Sequence, residues 1–295
     1  MTVTISGWRN HVGTLVAMHY PTDLVDGLAD HTYVKCGSGS VAWKCWGGDQ
    51  NGQELGRAQG STARADVIAQ PDQKAGICCY LVNGVCHQAA NRILLPAMIT
   101  VSKARGYSVS QAMFGSYGRV GFWPCHAPLE EHKDVSGDLA GQAVALGVDM
   151  MVREDSQKLD YQFLRRELDI YRRAAPTLRN GIQPQASLDA GDVHVALFLN
   201  MAEFHLGPAF EGLSDDLKQV RTKTEELRRA PEVAYQNREM NASEFARHFN
   251  DITHSFQEEM ADTLHPADYK TLFALEPDER VILADPRIVE QLEPV

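Results

Sequence analysis

Cys86 stands where a chain could turn a thiol into a nucleophile. It follows Asn83-Gly84-Val85, a strong turn signal, and it precedes Ala89, Ala90, Ile93, Leu94 and Ala97 at helical spacing until Pro96 interrupts the pattern. The apolar run 77–82 is expected to form a buried strand that delivers the chain to this turn. A cysteine in the first turn of a helix meets unpaired amides and the positive end of the macrodipole, which lower a thiol pKa. Strand, turn, cysteine and helix are what a cysteine nucleophile needs. The competing reading makes Cys86 a small buried core residue.

A thiol nucleophile also needs a base, and histidine serves best near neutral pH. His87 adjoins Cys86 on the helix and points about 100 degrees away. His126 follows Phe122-Trp123-Pro124 and is the alternative base. His31 opens a strand, 31–36, and is preferred because a strand-borne histidine fits the logic of a triad. It is expected to sit beside the Cys86 sulfur. Segments 31–36 and 41–46 read as a hairpin around Gly37-Ser38-Gly39-Ser40, with Cys36 opposite Val41, Tyr33 opposite Lys44 and His31 opposite Trp46. His31, Tyr33 and Lys35 then share one sheet face with Lys44 and Trp46. Asp49, just past that hairpin, is the candidate for orienting the histidine ring, with Gln88 and Asn91 as others. Tyr33, Trp46 and Asn91 are the candidate substrate contacts.

His31-Thr32-Tyr33-Val34 on a strand, followed by a cysteine opening a helix at Cys86, resembles the circularly permuted papain-like group. That group comprises the NlpC-type permuted hydrolases, the PPPDE isopeptidases and the lecithin retinol acyltransferase-like enzymes. The resemblance covers about residues 31–100, with Val85 where the group often carries Asn or another polar residue. It implies thiol-dependent hydrolysis or acyl transfer at an amide, isopeptide or ester bond, with no cofactor and with a peptide, isopeptide or acyl substrate.

The chain has 295 residues, a hydrophobic fraction of 44% and a net charge of −11, which describes a globular protein without a nucleic-acid-binding surface. It has no 18-residue apolar run and no basic-then-apolar start, so the expected location is cytoplasmic, with signal-free export as the alternative, and no membrane span is expected. All six cysteines lie at or before Cys125, at spacings unlike zinc ligands. A redox or metal role for Cys78, Cys79, Cys86 and Cys125 is the weakest reading, and Cys125-His126 with His132 is the only other metal-like cluster.

The elements that must position this chemistry fall into two parts. Glycine, cysteine and tryptophan concentrate before residue 135, and charged helical patterns follow it. The expected fold is α+β: a papain-like domain at 1–130 with a small antiparallel sheet, then a helical domain at 135–295. Gly13 to Tyr20 is expected to be a strand, 47–62 a polar loop, and 99–122 turns and strands. Helices are expected over 137–152, 156–175, 189–206, 213–229 and 241–264, the last capped by Asn241 or Ser243. The helical part could bind a protein partner. The rival to a hydrolase is a non-catalytic binding or assembly protein with buried structural cysteines.

Overall fold

The computed structural model describes residues 12–21, 27–36, 42–43, 52–62, 65, 81–82, 84–118, 162–164, 166–167, 169–170 and 186–289. They form an α+β structure. β1 (Val12–Tyr20), β2 (His31–Cys36), β3 (Ala42–Trp43) and β4 (Gln53–Ser61) make an antiparallel sheet in the order β3-β2-β1-β4, in which β3 is only two residues long. Val34 lies opposite Trp43 and Lys35 opposite Ala42, the hairpin register expected from the glycine-serine loop.

β1 is the apolar centre of the sheet. Leu15 and Ala17 alternate with Val16 and Met18, so both faces are covered. Leu15, Ala17, Thr32 and Val34 share the face under α1 (Cys86–Leu94), which packs across β1 and β2. On the opposite face stand His31, Tyr33 and Lys35, with the His31 and Tyr33 rings stacked at 6.3 Å.

Three expectations are corrected. Residues 53–61 are a strand rather than part of a loop. β4 pairs with β1 along its length, and its polar, small side chains suit an edge position, where four of the nine are exposed and only Gly60 is buried. Its Gly60 approaches the 3-10 turn Leu95–Ala97 so closely that a Cβ would come within 2.7 Å of the Pro96 carbonyl. Within 99–122, residues 107–114 are α2 (Tyr107–Phe114), started by Gly106 at φ +77 and ended at Gly115. Leu81 and Val82 belong to a turn, while 76–80 lie outside the described residues.

The helical part contains α3 (Ala186–Leu206), α4 (Phe210–Gln236), α5 (Ala242–Thr263), α6 (Pro266–Phe273) and α7 (Pro286–Val289), with helical turns among 162–170. Asn241 caps α5 by accepting the Glu244 amide at 2.9 Å, as its sequence signals. Segment 137–152 and the junction 130–135 lie outside the described residues. Residues on either side of that junction share one hydrophobic core. No helix among the described residues is long and apolar enough to cross a membrane.

A buried charge cluster joins the two parts. Arg221 of α4 donates to the carbonyls of Ala112 (2.8 Å) and Met113 (2.9 Å), and Arg228 donates to Met113 at 3.1 Å. These guanidiniums satisfy the last carbonyls of α2, which have no helical partner. Glu225 lies between Arg221, Arg228 and His194. Burial alone would raise its carboxyl pKa, but the two guanidiniums and His194 more than offset that and hold it well below the usual range. Removing this carboxylate leaves two buried cations uncompensated. Glu225→Ala is therefore expected to cost about 3–5 kcal/mol in urea unfolding. A loss below about 1 kcal/mol would contradict this reading of the cluster.

Candidate functional site

The turn before α1 is built for a sharp entry. Leu81 takes φ +68, its amide donates to the Gly84 carbonyl at 2.9 Å, and Gly84 sits at φ +139. A Cβ on Gly84 would lie 2.8 Å from the Gln88 side chain, so both backbone angle and space demand glycine there. Val85 is extended at the helix cap, and its amide donates to Gln88 Oε1 at 3.0 Å. Gln88 thus supplies the return half of a capping box, although Val85 has no side-chain acceptor to complete it. Cys86 is the first helical residue.

The thiol faces the backbone that leads into β2. Cys86 Sγ lies 3.7 Å from the Asp30 carbonyl oxygen, and the side chain is buried at 6% exposure. Burial pushes the thiol pKa up. The amide and hydroxyl dipoles of Thr32 and the amides of His87 and Cys86 act the other way without cancelling it. The direction is opposite to that expected from the helix start alone. Burial thus favours the protonated thiol.

Asp30, at 3% exposure, organises everything around that thiol. Its carbonyl accepts from His87 Nε2 at 3.0 Å as well as from the thiol. Its carboxylate accepts from His19 Nδ1 at 2.6 Å and from the Arg105 amide at 3.0 Å. Its own amide donates to the Arg105 carbonyl at 3.1 Å. The Arg105 side chain is held in turn by Glu279 at 3.0 Å.

Three histidines gather here. A carbonyl only accepts, so the His87 proton is on Nε2, and Nδ1 takes the Ser110 hydroxyl at 2.8 Å. His87 is fully buried, and its pKa is lowered to about 4, chiefly by burial and further by the charge of His31, with Asp30 opposing. It is a neutral, fully engaged ring. His31 stands between Asp30 and Thr32, the two residues against the sulfur, and its ring stacks on Tyr33. His19 lies directly across from Thr32 in the β1–β2 register and so projects from the face that α1 covers. In the neutral ring, donation from Nδ1 to a carboxylate leaves the lone pair on Nε2.

His19 and Asp30 were not candidates in the sequence. The signal that could have found them is the hairpin register: pairing 12–20 with 31–36 puts His19 opposite Thr32, one residue from His31.

Two of the expected substrate contacts are hydrogen-bonded within the protein. Tyr33 is fully buried, and its hydroxyl accepts the Gly52 amide at 2.8 Å. Asn91 is buried and donates to Tyr107 Oη at 3.1 Å and the Ser116 carbonyl at 2.8 Å, while its oxygen accepts the Val101 amide at 2.9 Å. Gln88 likewise donates to Ser110 and Gly115. Both amides brace α1 rather than meet a ligand. Asp49, Trp46 and His126 lie outside the described residues, as do Cys78, Cys79, Cys125 and His132. Among the described residues no cluster of histidine, cysteine and carboxylate side chains could hold a metal ion.

No protein-family model matches the chain, and no curated protein or solved structure was found similar to it.

Behind α1, Glu167 is fully buried and accepts the Ser116 amide at 2.7 Å. Burial raises its pKa to about 7 against that hydrogen bond. The folded state therefore prefers the neutral acid, and its contribution is complete below the usual value of 4.5 and is lost as pH rises through about 7. Glu167→Gln removes this loss. Its stability relative to wild type should grow by about 2–3 kcal/mol between pH 5 and pH 8 in denaturant titrations. A difference that stays constant with pH would contradict the shift.

Proposed function

We propose that the protein is a cysteine-dependent hydrolase or acyltransferase acting on an amide, isopeptide or ester bond, with Cys86 as nucleophile and a histidine of the β1–β2 hairpin as its base. The observation that carries this reading is the helix-initial Cys86 seated on the Asp30–Thr32 backbone beside a histidine–carboxylate pair. A buried thiol in this setting is deprotonated as it attacks, not beforehand. The sulfur bonds to the carbonyl carbon as the histidine takes its proton. The carbonyl π electrons move to oxygen, where the Cys86 amide is one donor for the oxyanion. Collapse of the adduct expels the amine or alcohol, which takes the proton from the histidine. Water or an acceptor nucleophile then releases the acyl group and restores the thiol.

A cysteine helix packed on an antiparallel sheet, with a histidine at the head of the strand that it crosses, supports assignment to the permuted papain-like group. On this reading no cofactor is required and the substrate is a peptide, isopeptide or acyl ester met in the cytoplasm. The helical part braces α2 and offers a surface for a protein partner. A second reading, a binding or assembly protein with structural cysteines, draws support from the burial that raises the Cys86 thiol.

p-Nitrophenyl acetate separates the two. The hydrolase reading predicts acetylation of Cys86, found by peptide mass mapping, with a matching burst of p-nitrophenolate that Cys86→Ala abolishes. Acetyl groups only on other residues, or no burst, would favour the structural reading.

A further inference from the structure

The hairpin offers two histidines for one thiol, and the sheet separates them. His31 shares its face with Tyr33 and Lys35, on which its ring and the Lys35 ammonium are arranged. His19 shares the other face with Thr32, whose amide and hydroxyl stabilise the Cys86 sulfur, and with the helix that carries that sulfur. His19 also has what a base needs besides a place on that face. Its Nδ1 is held at 2.6 Å by the Asp30 carboxylate, which is fixed in turn by the Arg105 amide, and its side chain keeps 14% exposure for a proton to leave and enter.

We infer that His19 is the base of the cysteine nucleophile and that Asp30 is its positioning residue, making Cys86–His19–Asp30 the reacting set. This rests on the cysteine-hydrolase reading and names the base within it. Asp30 does two jobs: its carboxylate sets the tautomer and orientation of the His19 ring, and its carbonyl holds the thiol proton in place before transfer. In the attack, His19 Nε2 takes the proton from Sγ as the S–C bond forms, and Asp30 stabilises the imidazolium without accepting a proton. The leaving amine or alcohol then takes that proton from Nε2. His87 cannot substitute, because its Nε2–H is committed to the same Asp30 carbonyl. The titratable groups around the dyad are Cys86, His87 and His31, together with the Arg105–Glu279 pair behind the carboxylate.

The test uses p-nitrophenyl acetate and the full chain, with Cys86 acetylation followed by mass mapping over pH 5–9. His19→Asn is the decisive variant. The asparagine amide can still donate to Asp30 from near the Nδ1 position, but it has no counterpart of Nε2. The expected result is a folded protein by near-ultraviolet circular dichroism, with Cys86 acetylation slowed at least about a hundredfold at pH 7 and the acid limb of the pH–rate profile abolished. Should His19→Asn fail to fold, His19→Gly with added imidazole decides. Restoration of the rate by imidazole supports the assignment, and a folded protein with no restoration overturns it. A His19→Asn protein that keeps the wild-type rate and profile shows a merely structural dyad and overturns the inference. If His31→Asn instead removes the acid limb, the base is wrongly assigned while the hydrolase reading stands. If wild-type Cys86 is never acetylated, both fail.

Discussion

The structure around the thiol depends on the placement of one buried residue, Asp30. A carboxylate at 3% exposure is costly unless it is hydrogen-bonded, and here His19 and the Arg105 amide both donate to its Oδ2. The same residue uses its carbonyl for His87 and Cys86 and its amide for Arg105. One residue therefore ties the end of β1, the head of β2, the start of α1 and the approach to α2. Moving Asp30 would shift all four together.

That hub is supported from a distance along the chain. Ala29 donates to the Ile282 carbonyl at 2.9 Å, and Leu28 and Ile282 form a parallel bridge. Gln257 of α5 holds Val281 from both sides, its amide donating to the carbonyl at 2.9 Å and its oxygen accepting the amide at 3.1 Å, while Asn250 donates to Ala284 at 2.7 Å. Glu279 on the same stretch anchors Arg105. The helical part thus braces the segment that carries Asp30 as well as capping α2. It works as scaffold for the surroundings of the thiol.

Much of this was readable in the residues, for reasons that differ by element. The turn that ends at Gly84, the helix from Cys86 and its end near Pro96 follow from local chemistry, and so does the Asn241 cap. The β2–β3 register follows from loop length. β4 was not readable, because an edge strand with exposed side chains needs no apolar alternation, and Gln53 to Ser61 show none. Trp46 and four of the six cysteines lie outside the described residues. The direction of the Cys86 shift is not legible in the sequence, because macrodipole and burial oppose each other and only packing decides which wins. His19 and Asp30 were missed because neither belongs to a motif. Their meaning arises from a cross-strand pairing and a loop conformation.

The most direct test of the account is the protonation pattern of the histidine rings, read from two-bond proton–nitrogen correlations in nitrogen-15 histidine-labelled protein near pH 8. The geometry about Asp30 predicts a proton on His19 Nδ1, donating to the carboxylate, and His87 as the neutral Nε2–H tautomer, donating to the carbonyl. His19 in the Nε2–H form, or His87 with its proton on Nδ1, would contradict the central role given to Asp30.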